Sequence, residues 1–132
     1  MRDAPMMAER MLKRKVHIDV LLSSSAKRAL STARHFAAVY GFGNERLVTT
    51  KKLYHAYPDT FYEVIGELDD SVRTVAVFSH NPGITSFVNQ LTDAKIDNMP
   101  TCGIFALTTD AEHWKDLRNA QKWFWFFDYP KL

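Results

Sequence analysis

Hydrophobic positions follow two rhythms along the chain. Near the start, Ala4, Met7, Ala8, Met11 and Leu12 recur at helical spacing, with Arg10, Lys13 and Arg14 off that stripe. The pattern predicts a first helix with Asp3 as its cap and Pro5 in its first turn. Ile18 to Leu22 is a short run of β-formers and predicts a buried strand. Ser23, Ser24 and Ser25 then offer caps to a helix whose shared face is Ala26, Leu30, Ala33, Ala37 and Tyr40, ended by Gly41. Pro58 and Asp59 open another helix, with Phe61, Val64, Ile65 and Leu68 inward. Val75 to Phe78 predicts a second buried strand, and Asn81-Pro82-Gly83 starts a helix that runs to about Leu91. Gly103 to Leu107 and Lys122 to Phe127 predict two further strands. Leu47 to Leu53 is weakly strand-like and fits a loop equally well. Asp93 to Pro100 reads as loop, and the polar stretch from Asp110 to Gln121 has room for a short helix.

Strands alternating with helices predict an α/β fold, a three-layer sandwich with a largely parallel sheet. No repeat, low-complexity tract or linker divides the 132 residues, so residues 1–132 read as a single domain. Hydrophobic residues make up 46% and charged residues 24%, enough apolar material for a core. The net charge of +2 is too small to make nucleic acid or membrane the main partner, though a local basic spot can still hold a small anion. Cys102 is the single cysteine, which excludes an intrachain disulfide and fits a reducing cytoplasm. No apolar run reaches membrane-spanning length, and the N-terminus reads as an amphipathic helix instead of a signal peptide. No histidine pair has metal-ligand spacing, and neither a Walker loop nor a GxGxxG is present, so neither metal nor cofactor is expected.

Candidate chemistry gathers at two strand-to-helix junctions. In "DVLLSSSAKRAL" a strand ends in serines and a helix begins, with Arg28 in its first turns. In "VAVFSHNPG" a strand ends near His80, where Asn81 can cap the next helix, Pro82 suits its first position and Gly83 leaves the backbone open. In open α/β sheets ligands sit beyond the carboxyl ends of strands. Helix N-termini favour anions there, and a guanidinium grips phosphate with two bonds. His80 can donate to a phosphate oxygen and stabilise charge as it develops. His17, His35, His55 and His113 read first as surface or packing residues, and Arg34-His35 lies inside a helical pattern. Asp69-Asp70 reads as a solvated helix end. The run Trp123, Phe124, Trp125, Phe126 and Phe127 reads as a strand buried on both faces or as a contact surface. No basic stripe accompanies it, which argues against base stacking.

Six segments in order, "RDAPMMAERML", "DVLLSSSAKRALSTA", "LYHAYPDTFYEVI", "FSHNPGI", "PTCGIFAL" and "FFDYPKL", resemble the SixA-type phosphohistidine phosphatases of the histidine phosphatase superfamily. The resemblance spans almost the whole chain. It implies a phosphoglycerate mutase-like fold and a metal-independent phosphatase that passes the phosphoryl group to an enzyme histidine and then to water. It implies phosphate or a phosphorylated protein or small molecule as partner. It gives Arg28 the phosphate-gripping role and His80 that of the second pocket histidine, with Ser23, Asn81 and Gly83 lining the pocket. The family's nucleophile lies in an Arg-His motif directly after a first strand, ahead of the "RDAP" helix. This chain is therefore expected to lack that strand and the nucleophile, and Arg34-His35 does not replace them. Two expectations follow: an enzyme completed by upstream residues, or an inactive phosphate- or phosphoprotein-binding module, including a strand-exchanged homo-oligomer.

Overall fold

A computed structural model describes residues 2–130, and among these residues it contains four α-helices and five strands. Helix α1 covers Asp3–Lys13 and buries Ala4, Met7, Ala8 and Met11, the expected stripe. Arg2 occupies the cap position and no side chain caps the helix, so Asp3 instead places its carboxylate in the first turn, where the helix dipole favours it. Leu12, expected on the inner stripe, is 47% exposed.

Strand β1 covers Val20–Ser24, two residues later than the apolar run suggests. The ladder explains the shift. Ser23 and Ser24 pair with Thr49 and Thr50 of β2 (Leu47–Thr50), and Ser23 also faces Phe78 of β3 (Val75–Phe78). Neighbours on both sides satisfy the backbone, and the fully buried Ser23 hydroxyl donates to the Ser24 carbonyl at 2.8 Å. The serines are therefore strand residues, not helix caps, although Ser24 Oγ still accepts the Ala26 N–H at 3.1 Å.

Helix α2, Lys27–Tyr40, buries Ala29, Ala33 and Phe36, a face rotated from the one centred on Leu30 and Ala37. It ends at Gly41, whose left-handed φ of 72° lets the N–H groups of Gly41 and Phe42 turn back to Ala38 and Ala37. Helix α3, Pro58–Gly66, buries Phe61, Val64 and Ile65 as expected, and Leu68 packs half-buried against the same core. Helix α4 covers Gly83–Leu91. Strands β4 (Ile104–Thr109) and β5 (Lys122–Asp128) complete the set.

Pairing divides the strands in two. β2, β1 and β3 form a parallel sheet in that order, while β4 and β5 form an antiparallel pair of their own. The two sheets nevertheless share their covering layers. Val75, Val77, Phe105 and Leu107 face a core built from Leu22, Leu53, Phe61, Ile65, Ile84 and Phe87. Ala76, Phe78, Ile104 and Ala106 face a second core containing Met7, Met11, Leu21, Phe36 and Phe126. Helices α3 and α4 thus cover one side and α1 and α2 the other, the three-layer α/β sandwich expected from the pattern. Among the described residues, β3 and β4 each have a partner on one edge only. All four residues of β3 are half-buried, although the sequence run reads as a buried strand.

β5 meets only one of the two readings of its aromatic run. Trp123, Phe124 and Trp125 are 50%, 45% and 50% exposed, so this strand is not buried on both faces. Ala106 pairs with Phe126 and Leu107 with Phe124, which leaves Trp125 as the extra residue of a β-bulge.

Candidate phosphoryl site at the carboxyl rim

Parallel pairing fixes where the two junctions lie. β1 and β3 run side by side with Ser23 opposite Phe78, so both chains leave the sheet at the same edge. Arg28 is the second residue of α2 and is exposed; its guanidinium makes no ion pair or hydrogen bond among the described residues. His80 follows β3 by two residues and is half-buried. β2 leaves the sheet at this edge as well and delivers Lys51 and Lys52, of which Lys52 lies 3.8 Å from Glu67. No acidic residue occurs in the rim segments 25–28, 51–57 and 79–83. The rim is therefore biased toward anions.

The β3–α4 junction is built tightly. The Ser79 hydroxyl donates to the Leu53 carbonyl at 3.3 Å. Asn81 Nδ2 donates to the Met99 carbonyl at 2.9 Å, while Asn81 Oδ1 accepts from the Thr85 hydroxyl. Thr85 Oγ1 in turn accepts the Met99 N–H at 2.9 Å. Asn81 therefore fastens the loop before β4 instead of capping the helix, and Pro82, after a cis Asn81–Pro82 peptide, takes the cap position. Gly83 opens α4, and a Cβ there would lie 2.3 Å from the Ala56 carbonyl oxygen. Its lack of a side chain is what lets the chain around Ala56 press against the helix start. Ser23 lies in the same sheet edge, fully buried, with its hydroxyl engaged as described.

His80 Nδ1 is buried without a hydrogen-bond partner among the described residues. Its ring lies edge-to-face with His55, centroids 5.2 Å apart, and with Tyr54 at 5.6 Å. Sequence reasoning missed His55. The only signal was its place in "LYHAYP", between the end of one element and a helix-opening proline, and no spacing rule ties such a residue to His80. Of the remaining histidines, His17 lies 2.8 Å from Asp19 and His113 2.8 Å from Asp70, so these read as surface pairs. His35 is half-buried in mid-α2 next to exposed Arg34. No cluster of three or more potential metal ligands occurs among the described residues, and no helix among them is long and apolar enough to cross a membrane.

This architecture is the fold of the SixA phosphohistidine phosphatases. A SixA histidine phosphatase in complex with tungstate superposes with a TM-score of 0.80 at 20% identity, covering 98% of this chain and 80% of that one. A protein of Nakamurella multipartitia assigned as phosphohistidine phosphatase SixA gives 0.79 at 19% identity, covering 99% and 81%. One from Agrobacterium tumefaciens gives 0.74 at 20%, covering 96% and 78%. Among curated sequences, an uncharacterized protein of Mycobacterium leprae is 34% identical over 110 residues, covering 76% of this chain and 64% of its own length. An uncharacterized protein of Mycobacterium tuberculosis is 31% identical over 110 residues, covering 76% and 66%. The matched stretch is thus a little under two thirds of these relatives' length. No family model matches the chain.

Proposed function

We propose that this chain carries the phosphoryl-binding rim of a histidine phosphatase, with phosphohistidine or a related phosphomonoester as substrate. The observation that carries the reading is the shared edge: Arg28 after β1 and His80 after β3, in a SixA fold, with no acidic residue in the rim segments. Arg28 would grip the phosphoryl oxygens in a bidentate fork, and His80 would donate to a third oxygen. The Gly83 end of α4 adds backbone N–H groups, with Ser23 and Asn81 bracing the two junctions. No metal enters this scheme. In it, a phosphohistidine intermediate forms on a separate nucleophilic histidine and is then hydrolysed. Arg34-His35, in the middle of α2, does not meet that requirement.

A second reading is favoured by the unpaired edges of β3 and β4. Open edges invite strand addition, so a strand-exchanged oligomer that binds a phosphorylated ligand without hydrolysing it fits the same rim. Titration of the full chain with tungstate and inorganic phosphate, beside an assay on a phosphohistidine peptide, tests the first reading. Tungstate binding should fall at least about tenfold in Arg28→Ala and in His80→Ala, as expected for a lost charge-assisted contact. Unchanged affinity in both variants would reject the rim. Sedimentation of the chain then separates a monomer from a strand-exchanged oligomer.

A further inference from the structure

We propose that His55 is a second imidazole ligand for the anion held at His80, so that the rim grips a tetrahedral oxyanion between two histidines and Arg28. This inference rests on the phosphatase reading of the rim and adds a residue that neither the sequence motifs nor the likeness to SixA assigns.

Three independent features put His55 there. Its ring centroid lies 5.2 Å from that of His80 with the planes at 83°, so the rings meet edge to face and do not stack. Rings this close can place N–H donors at about 2.8 Å from different oxygens of one tetrahedral anion. Next, the backbone is committed to this placement. His55 has φ of 55°, a left-handed conformation uncommon for a residue with a Cβ, and Gly83 is the residue whose missing side chain admits the neighbouring Ala56 carbonyl. Finally, His55 is exposed, and neither a carboxylate nor a hydrogen bond engages its ring among the described residues. His17 and His113 each have an aspartate at 2.8 Å.

Packing alone explains the position poorly. A core histidine would be enclosed, whereas this one is exposed at the rim, with the Tyr54 ring in a T-shaped contact at 4.5 Å. His80 supports the same picture: its Nδ1 is buried without a partner among the described residues, which leaves the other ring nitrogen to meet a ligand. The rim segment of β2 thereby joins those of β1 and β3 in one site.

The test is tungstate titration of the full chain by calorimetry, with imidazole resonances followed by NMR. His55→Gly removes the ring while easing the left-handed backbone, so the fold is expected to survive. His55→Asn keeps an N–H donor on a residue that tolerates that backbone. Affinity should drop about fivefold or more in His55→Gly and recover in part in His55→Asn, as for loss and return of one hydrogen bond to a charged group. His113→Ala should bind as the parent does. In the parent, the resonances of both His55 and His80 should move together on titration. If His80→Ala loses binding while His55→Gly stays within about twofold of the parent, the inference is overturned and the phosphatase reading stands. If the parent's tungstate moves neither imidazole, both fall.

Discussion

Replacing Arg10 by methionine should loosen the β4–β5 pair more than any other part of the molecule. Among the described residues the pair is hydrogen-bonded to no other strand, so its attachment rests on side chains. One of the contacts is explicit. Arg10 of α1 donates from Nη1 to Asp128 Oδ1 at 2.7 Å and to the Tyr129 carbonyl at 3.3 Å. Asp128 is 5% exposed and closes β5. A hydrogen bond to a charged group contributes about 1.5–3 kcal/mol, and orphaning one member of a fully buried ion pair costs about 3–5 kcal/mol. The Arg10 side chain is 32% exposed, so water screens part of that loss and the lower range applies. We expect Arg10→Met to cost about 2 kcal/mol, or roughly a thirtyfold fall in the folded-to-unfolded ratio. Adding Asp128→Asn should restore more than half, because the stranded charge is gone. Urea unfolding followed by tryptophan fluorescence measures the energy, and amide exchange locates it in residues 104–109 and 122–128. A loss below about 0.5 kcal/mol, or a double variant no more stable than the single one, would refute the reasoning.

Three further outcomes are expected. Asp19 is partly desolvated, which raises its pKa, but N–H bonds from Arg73 and Thr74 and the nearby His17 outweigh this and hold it below the ordinary carboxylate value. A lowered folded pKa stabilises above the unfolded value of about 3.9 and is lost as pH falls through the folded one. Asp19→Asn should therefore flatten the acid limb of the stability profile below about pH 4, and an unchanged limb would contradict the assignment. Gly83→Ala should destabilise the fold by about 1–3 kcal/mol in thermal melts, since the added methyl meets backbone at Ala56 O, and should weaken tungstate binding with it. Phe61 is fully buried and stacks on Phe87 at 4.7 Å, so Phe61→Ala should cost about 3–5 kcal/mol by urea titration.

Local rules served where a residue's partners lie within its own element. The stripe Ala4, Met7, Ala8 and Met11, the inward set Phe61, Val64 and Ile65, the stop at Gly41 and the bounds of β3 were all legible for that reason. They failed where a distant neighbour decided the outcome. Ser23 and Ser24 read as caps because serine favours caps, yet two flanking strands draw them into the ladder. Asn81 read as a cap as well, and a carbonyl 18 residues away claims its amide. The aromatic run on β5 reads either as buried on both faces or as a contact surface, because hydrophobicity carries no information on which edge of a sheet a strand will occupy; the half-exposed Trp123, Phe124 and Trp125 remove the first alternative. At the rim, the strand–helix junctions were enough to place Arg28 and His80 after neighbouring strands at one sheet edge, while the contact of His55 with His80 needed the fold to bring β2's exit beside β3's.

That last contact bears on how the rim keeps its shape. β3 carries His80 to the edge but is paired on one side only, so its ladder supplies half the restraint a central strand enjoys. The missing restraint is met from the segment after β2: the Leu53 carbonyl takes the Ser79 hydroxyl, the Ala56 carbonyl fills the space left by Gly83, and Tyr54 and His55 close around the imidazole. Leu53 is itself fully buried in the core beneath α3 and α4. The segment is thus anchored at its root and open at its tip, the arrangement a binding loop needs if it is to be both fixed and accessible. Substitutions at Leu53 should consequently reach anion affinity through His80 even though Leu53 cannot touch the ligand. Those at Tyr57, 80% exposed and further along the same segment, should leave it unchanged.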